Sequence, residues 1–159
     1  MNPSITLRSL FAVPVLGLAL ALAHGVHAAD TSPVSVPSVQ PDDFAAGKKA
    51  VEARNWKAAS DSFARAAAKD PRNADAFNML GYSLRWQNRY DEAFAAYDKA
   101  LALDPNHKGA LSYSGIGYLK AGRRSDAEAR YARLQAVCAT CAETAELQKA
   151  LAASPVAGK

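Results

Sequence analysis

The chain is poor in the residues that carry most enzyme and metal chemistry. Its 159 residues include two cysteines and three histidines, while a zinc site takes about four ligands. No Lys/Arg run exceeds the pairs Lys48-Lys49 and Arg123-Arg124, and a nucleic-acid partner normally demands a denser basic stripe than a scattered net charge of +4 provides. Phosphate-cradling glycine loops are missing as well, because "SGIGYLKAG" falls in a helical pattern with no strand before it. The longest apolar run, Leu10 to Ala23, has 14 residues, short of the roughly 20 that span a bilayer. What remains is half hydrophobic and 21% charged, the balance of one globular domain without wholesale disorder.

The first 29 residues have the form of a secretory signal. Arg8 gives a positive start, the apolar run follows, and "VHAAD" offers small residues for cleavage after Ala28 or Ala29. The expected location is therefore outside the cytoplasm, in the bacterial periplasm, with no membrane span left after cleavage. An uncleaved anchor is the alternative. Cleavage removes Arg8, His24 and His27, so His107 is the one histidine of the mature chain. It lies in "DPNHKG", an expected turn, and no Ser/His/Asp set is in view. Residues 30–40 mix Ser, Pro and Val without a helical period, a composition expected to form a flexible linker.

From about residue 41 the chain repeats itself. Gly47, Gly81 and Gly115 are 34 residues apart, as are Ala59, Ala93 and Ala127, and the aromatic trio Phe63, Tyr97 and Tyr131. Ala66 recurs as Ala100, and Asp70-Pro71 as Asp104-Pro105. Several residue classes held in one register over successive copies mark a structural repeat. In the middle copy Phe77, Leu80 and Leu84 share one helical face, and Ala93, Phe94, Tyr97, Ala100 and Leu101 share another after the polar break Gln87-Asn88-Arg89. Gly81 would let the second helix come close at Ala93, and each proline ends a pair. A helical hairpin of this kind buries its apolar face only against a neighbour, so the copies are expected to stack into a short solenoid.

The pattern resembles the tetratricopeptide repeat (TPR) family, whose signature is W-x2-L-G-x2-Y, A-x3-F and a closing Pro. Phe77, Leu80, Gly81, Leu84, Ala93, Tyr97, Ala100 and Pro105 carry it in the middle copy; Leu111, Ser114, Gly115, Tyr118, Ala127 and Tyr131 carry it in the third. The first copy begins with Asp43, Ala46 and Ala50 where larger residues are usual. The resemblance implies an all-α, right-handed solenoid of three repeats, at about residues 40–73, 74–107 and 108–139. A cap helix at about 141–153 and a tail at 154–159 would follow. It also implies a protein-binding scaffold, with no catalysis and no cofactor. In this family the first helix of each pair lines the concave face. Its groove positions fall on Lys48 and Glu52, then Asn78, Tyr82, Arg85 and Trp86, then Ser112, Ile116 and Lys120. That mixture suits an extended peptide or a partner helix of acidic character. The alternative expectation for Trp86 is packing on Tyr90 or on the third repeat. The Lys/Asn clamp of the chaperone-binding subclass is not matched, since Phe44 stands at the clamp lysine and Lys48 at the asparagine.

Cys138 and Cys141, in "VCATCAE", replace the third Asp-Pro turn. A haem attachment would need His where Ala142 stands. The expected state is a short disulfide joining the third repeat to the cap helix, formed in an oxidising compartment. The rival is a reactive dithiol, and with it a thiol-disulfide function for the whole protein, because Cys141 falls in the first turn of the cap helix. Thr140 and Glu143 have the spacing of a capping box for that helix.

Overall fold

Four of the seven helices among the described residues begin at a side chain that caps them. The structure, a computed structural model, describes residues 42–154; the signal, the linker and all of the tail beyond Ser154 lie outside the described residues. The chain divides into two units, Met1–Ser38 and Val39–Lys159, and the described residues belong to the second. Asp42 accepts the Phe44 N–H and opens α1 (Asp43–Glu52). Asn55 accepts from Ala58 and opens α2 (Trp56–Lys69), and Asn73 accepts from Ala76 and opens α3 (Ala74–Trp86). The pairing continues with α4 (Tyr90–Leu103), α5 (Lys108–Lys120) and α6 (Arg124–Val137). His107 is the cap of α5: its Nδ1 accepts the Ala110 N–H at 3.1 Å while its Nε2 lies 3.0 Å from Asp75 Oδ1. The helical hairpins expected from the 34-residue period are therefore formed, and α7 (Ala142–Ala153) follows them. No helix among the described residues is long and apolar enough to cross a membrane.

Two turns recur with the repeat. Between the helices of each pair the chain passes through positive φ at Arg54 (54°), Asn88 (59°) and Gly122 (73°), again 34 positions apart. A side chain at such a φ costs about 1–2 kcal/mol unless it is glycine, so only the third copy has the relaxed residue. Between pairs, Asp70, Asp104 and Cys138 end their helices in similar extended geometry, with ψ of 88°, 96° and 93°. Cys138 thus takes the backbone role of the aspartate, without the following proline.

The pairs are held by close approach. A Cβ on Gly47 would lie 2.6 Å from the Phe63 ring, and one on Gly81 would lie 2.8 Å from the Tyr97 ring and 3.0 Å from the Ala93 carbonyl oxygen. Phe63 and Tyr97 are completely buried there, as are Ala59 and Ala93. The third copy differs. Gly115 is covered by Leu147 of α7, 2.6 Å from where its Cβ would be, while Tyr131 is only half-buried. The cap helix therefore takes the place that the ring of the second helix fills in the first two copies.

Two expectations for the end of the chain need correction. Cys141, not Thr140, is the N-cap of α7, and no side chain closes the capping box. Thr144 is buried instead and donates its hydroxyl to the Cys138 carbonyl at 2.6 Å. The expected disulfide is also not formed: Cys138 and Cys141 are both free thiols. The Cys141 sulfur points at the Cys138 carbonyl oxygen, 3.2 Å away.

The two kinds of glycine should respond differently to substitution. Gly122→Ala meets no atom within 4 Å, so backbone strain alone should lower stability, by about 1 kcal/mol. Gly81→Ala drives a methyl into Tyr97 and the Ala93 carbonyl and should lower it further, by about 1–3 kcal/mol of overpacking. Urea midpoints of the two variants check the order; a smaller loss for Gly81→Ala would contradict the close-packing account.

Candidate functional site

The inner face is built by α3 and α5, which pack directly on each other, with α7 against α5. Its most developed feature lies where the first and second repeats meet. The Gln87 side-chain amide donates to the Trp56 carbonyl, to Ser60 Oγ and to the Ser83 carbonyl, tying the end of α3 to the start of α2. That tie brings Trp56 and Trp86 together, stacked at 5.0 Å with planes 8° apart. Tyr82, one turn back from Trp86 on α3, meets Trp56 edge-on at 6.0 Å and Trp86 at 6.3 Å. It continues to Tyr113 of α5 at 4.9 Å. Four rings from three helices thus form one continuous aromatic surface.

Arg85 is laid over it. The guanidinium carbon is 5.2 Å from the Tyr82 ring and 5.3 Å from the Trp86 ring, distances at which a cation is attracted by the ring face. Trp86 is 49% exposed and is the one large hydrophobic side chain that stands out into solvent among the described residues. A cavity of about 400 Å³ on one side of it is lined by Val51, Glu52, Arg54, Trp56, Tyr82 and Trp86. On the other side a smaller one of about 230 Å³ is lined by Arg85, Trp86, Asn88, Tyr90 and Lys120. Burial and the carboxylate of Glu146 push the Tyr113 phenol up.

Not every position expected in the groove faces it. Tyr82, Arg85, Trp86 and Glu52 come together as described. Lys120 lines the cavity beside Trp86 and also, with Ile116, a cavity of about 400 Å³ shared with Ala150 and Ala153 of α7 and its C-cap Ser154. Lys48 is exposed, its ammonium 5.8 Å from the Phe44 ring, and has no place in the aromatic cluster. Ser112 is a correction. Ser112 is fully buried, since α5 is enclosed by α3, α4 and α7, and cannot touch a partner. Asn78 is 5% exposed, at the floor of a cavity of about 600 Å³ near His107, Lys108 and Glu143. Trp86 packs on Trp56 of the first repeat, not chiefly on Tyr90 or the third. Phe44 is half-buried edge-on against Phe63 at 5.3 Å, so a core ring fills the position of the clamp lysine.

Trp56 and Tyr113 are the residues the sequence did not point to. Trp56 is the first residue of a second helix, and only the first helices were expected on the inner face. Its signal was the run "RNW", an aromatic directly after a cap.

Comparison with known proteins follows the same outline. Two family profiles, each described as Tetratricopeptide repeat, match residues 44–108 and 84–152. A curated relative, the probable UDP-N-acetylglucosamine–peptide N-acetylglucosaminyltransferase SPINDLY of Eustoma exaltatum subsp. russellianum, is 37% identical over 68 residues. That match takes in 43% of this chain and only 7% of the relative's length. Among solved structures, the TPR2B domain of yeast Sti1 in its pHsp70 complex aligns with a TM-score of 0.64 at 16% identity, over 67% of this chain and 88% of that one. PcrH, in complex with the chaperone binding region of PopD, aligns with a TM-score of 0.64 at 22% identity, over 70% and 87%. These likenesses are of fold.

The tryptophan stack can be read directly, because Trp56 and Trp86 are the two tryptophans of the chain. In Trp56→Ala, Trp86 loses one covered face. Its fluorescence should shift to longer wavelength than that of the native protein, with about 1 kcal/mol of ring-ring stabilisation lost besides the burial. An unshifted spectrum would mean the two indoles do not stack.

Proposed function

The chain belongs to the tetratricopeptide repeat family, and from that premise we propose that its inner face is a docking groove for a segment of a partner protein, taken up as an extended peptide or a helix. One observation carries the proposal. Trp86 stands half out of the surface, yet it is fixed by Trp56, Tyr82 and Arg85 and flanked by two cavities. Aromatic and arginine side chains held rigid before binding lose little entropy when they bind, and such residues dominate the energetics of known interfaces. The two Trp-flanking cavities accept apolar side chains, while Arg85 and Lys120 beside the second favour a carboxylate. The partner segment is therefore apolar or aromatic with acidic neighbours. The complexes of Sti1 and PcrH support this reading, as solved examples of the same fold holding part of another protein.

The chain acts as an adaptor and not as an enzyme in this proposal, and its place is the bacterial cell envelope. Arg8, the run from Leu10 to Ala23 and the small residues before Asp30 support the location. Sequencing the N-terminus of protein recovered from the producing cell tests it. A start at Ala29 or Asp30 is expected, and a start at Met1 would contradict export by cleavage.

Selection from a displayed peptide library tests the groove. The native protein should enrich sequences with an aromatic or large aliphatic residue next to Asp or Glu. The Arg85→Ala, Trp86→Ala variant should bind the selected peptides at least about thirtyfold more weakly, since removing a hot spot costs about 2 kcal/mol or more. Helicity should be unchanged. Equal affinity of the two proteins would place the binding surface elsewhere.

A further inference from the structure

The turn that opens the cap helix holds two thiols in different surroundings, and this does not depend on the groove. Cys138 ends α6 and Cys141 caps α7, and both are partly exposed. The Cys141 sulfur is 3.2 Å from the Cys138 carbonyl oxygen and 3.3 Å from Thr144 Oγ1. Thr144 is buried, and its hydroxyl also reaches that carbonyl at 2.6 Å. The four-residue turn is therefore closed by the Cys141 sulfur and the Thr144 hydroxyl, which meet at the Cys138 carbonyl oxygen. Cys141 sits where a Ser or Asp cap would accept the N–H of the third helical residue, Thr144. A thiolate there gains the helix dipole, and the Thr144 hydroxyl can turn to donate to it. Cys138, at the C-terminal end of α6, has the opposite field.

We propose that this pair is a reactive dithiol, with Cys141 the attacking sulfur and Cys138 the resolving one, and that its oxidant is a small-molecule disulfide of the glutathione type. The Cys141 thiol gives up its proton and attacks one sulfur of the incoming disulfide. That S–S bond breaks, and the first small thiolate leaves and takes up the proton. The Cys138 thiol then gives up its own proton and attacks the Cys141 sulfur of the mixed disulfide. The second small thiolate leaves with that proton. Two protein thiols have been oxidised to one disulfide, and one small disulfide has been reduced to two thiols. The surroundings agree with the assigned roles: hydrogen bonds from Cys138 and Thr144 hold the Cys141 thiol below the usual thiol range, and the contact with Cys141 pushes Cys138 up.

The reaction reaches the rest of the molecule through α7. Closing the bridge takes the Cys141 sulfur away from Thr144, whose helix carries Leu147 onto Gly115 and Glu143 into the cavity of about 600 Å³.

Glutathione disulfide added to the reduced protein, with acid quenching and intact-mass measurement, tests the assignment. The native chain should end as an internal disulfide with no glutathione attached. Cys138→Ser should accumulate one glutathione on Cys141, and Cys141→Ser should react roughly tenfold more slowly, its remaining thiol lacking the helix N-terminus. Equal rates for the two single variants, or a native chain that keeps glutathione without closing, would overturn the proposal. Peptide mapping after a limiting dose of iodoacetamide gives an independent readout on the unsubstituted protein: Cys141 should be alkylated first, and preferential labelling of Cys138 would overturn the roles. Circular dichroism of each variant confirms that it is folded.

Discussion

Everything in this fold depends on three places where a side chain is absent. At Gly47, Gly81 and Gly115 a methyl group would sit within 3 Å of a buried ring or leucine, so the partner group lies directly on the helix backbone. At Gly47 and Gly81, 34 residues apart, that approach sets how near the two helices of a hairpin come, and at Gly115 it sets how near α7 comes to α5. The inner helices α3 and α5 then touch each other, and side chains one repeat apart can stack across the interface. The tryptophan pair is a consequence of that spacing. So is the closure of the array by α7, whose Leu147 lies over the last of the three glycines.

The repeated hairpins and the cap helix were legible in the sequence, whereas the turn between the helices of each pair and the exact cap of α7 were not. Small residues, rings and prolines recur in register because each hairpin solves the same packing problem, so their spacing named both the helices and the family. The turn residues Arg54, Asn88 and Gly122 recur as well, but in three chemical types, and only their φ angles reveal the equivalence. At the C-terminal end the capping pattern of Thr140 and Glu143 was off by one residue. Cys138 takes the extended geometry of an aspartate C-cap, and the next helix starts after Cys141.

For the site, helical spacing named positions on one face, and burial then separated them. Tyr82, Arg85 and Trp86 face outward together. Ser112 lies one repeat on from Asn78 and has the same formal position, but α7 and the neighbouring hairpin enclose it. A helical wheel does not contain the helix that packs against it. Trp56 was missed for the complementary reason: it reaches the inner face from the start of a second helix, steered there by the hydrogen bond from Gln87 to its carbonyl. The functional surface is thus a property of the junction between repeats, whereas the motif belongs to each repeat singly, which is why the motif names a fold and not a partner.

An amide and indole NMR titration of the uniformly labelled protein with a library-selected peptide tests the central claim most directly. The account predicts that the Trp56 and Trp86 indole resonances, with the backbone of α3 and α5 around Tyr82, Arg85 and Tyr113, move together with one affinity, while α4 and α6 stay in place. Shifts confined to α4 and α6, with both indoles unmoved at saturation, would contradict it.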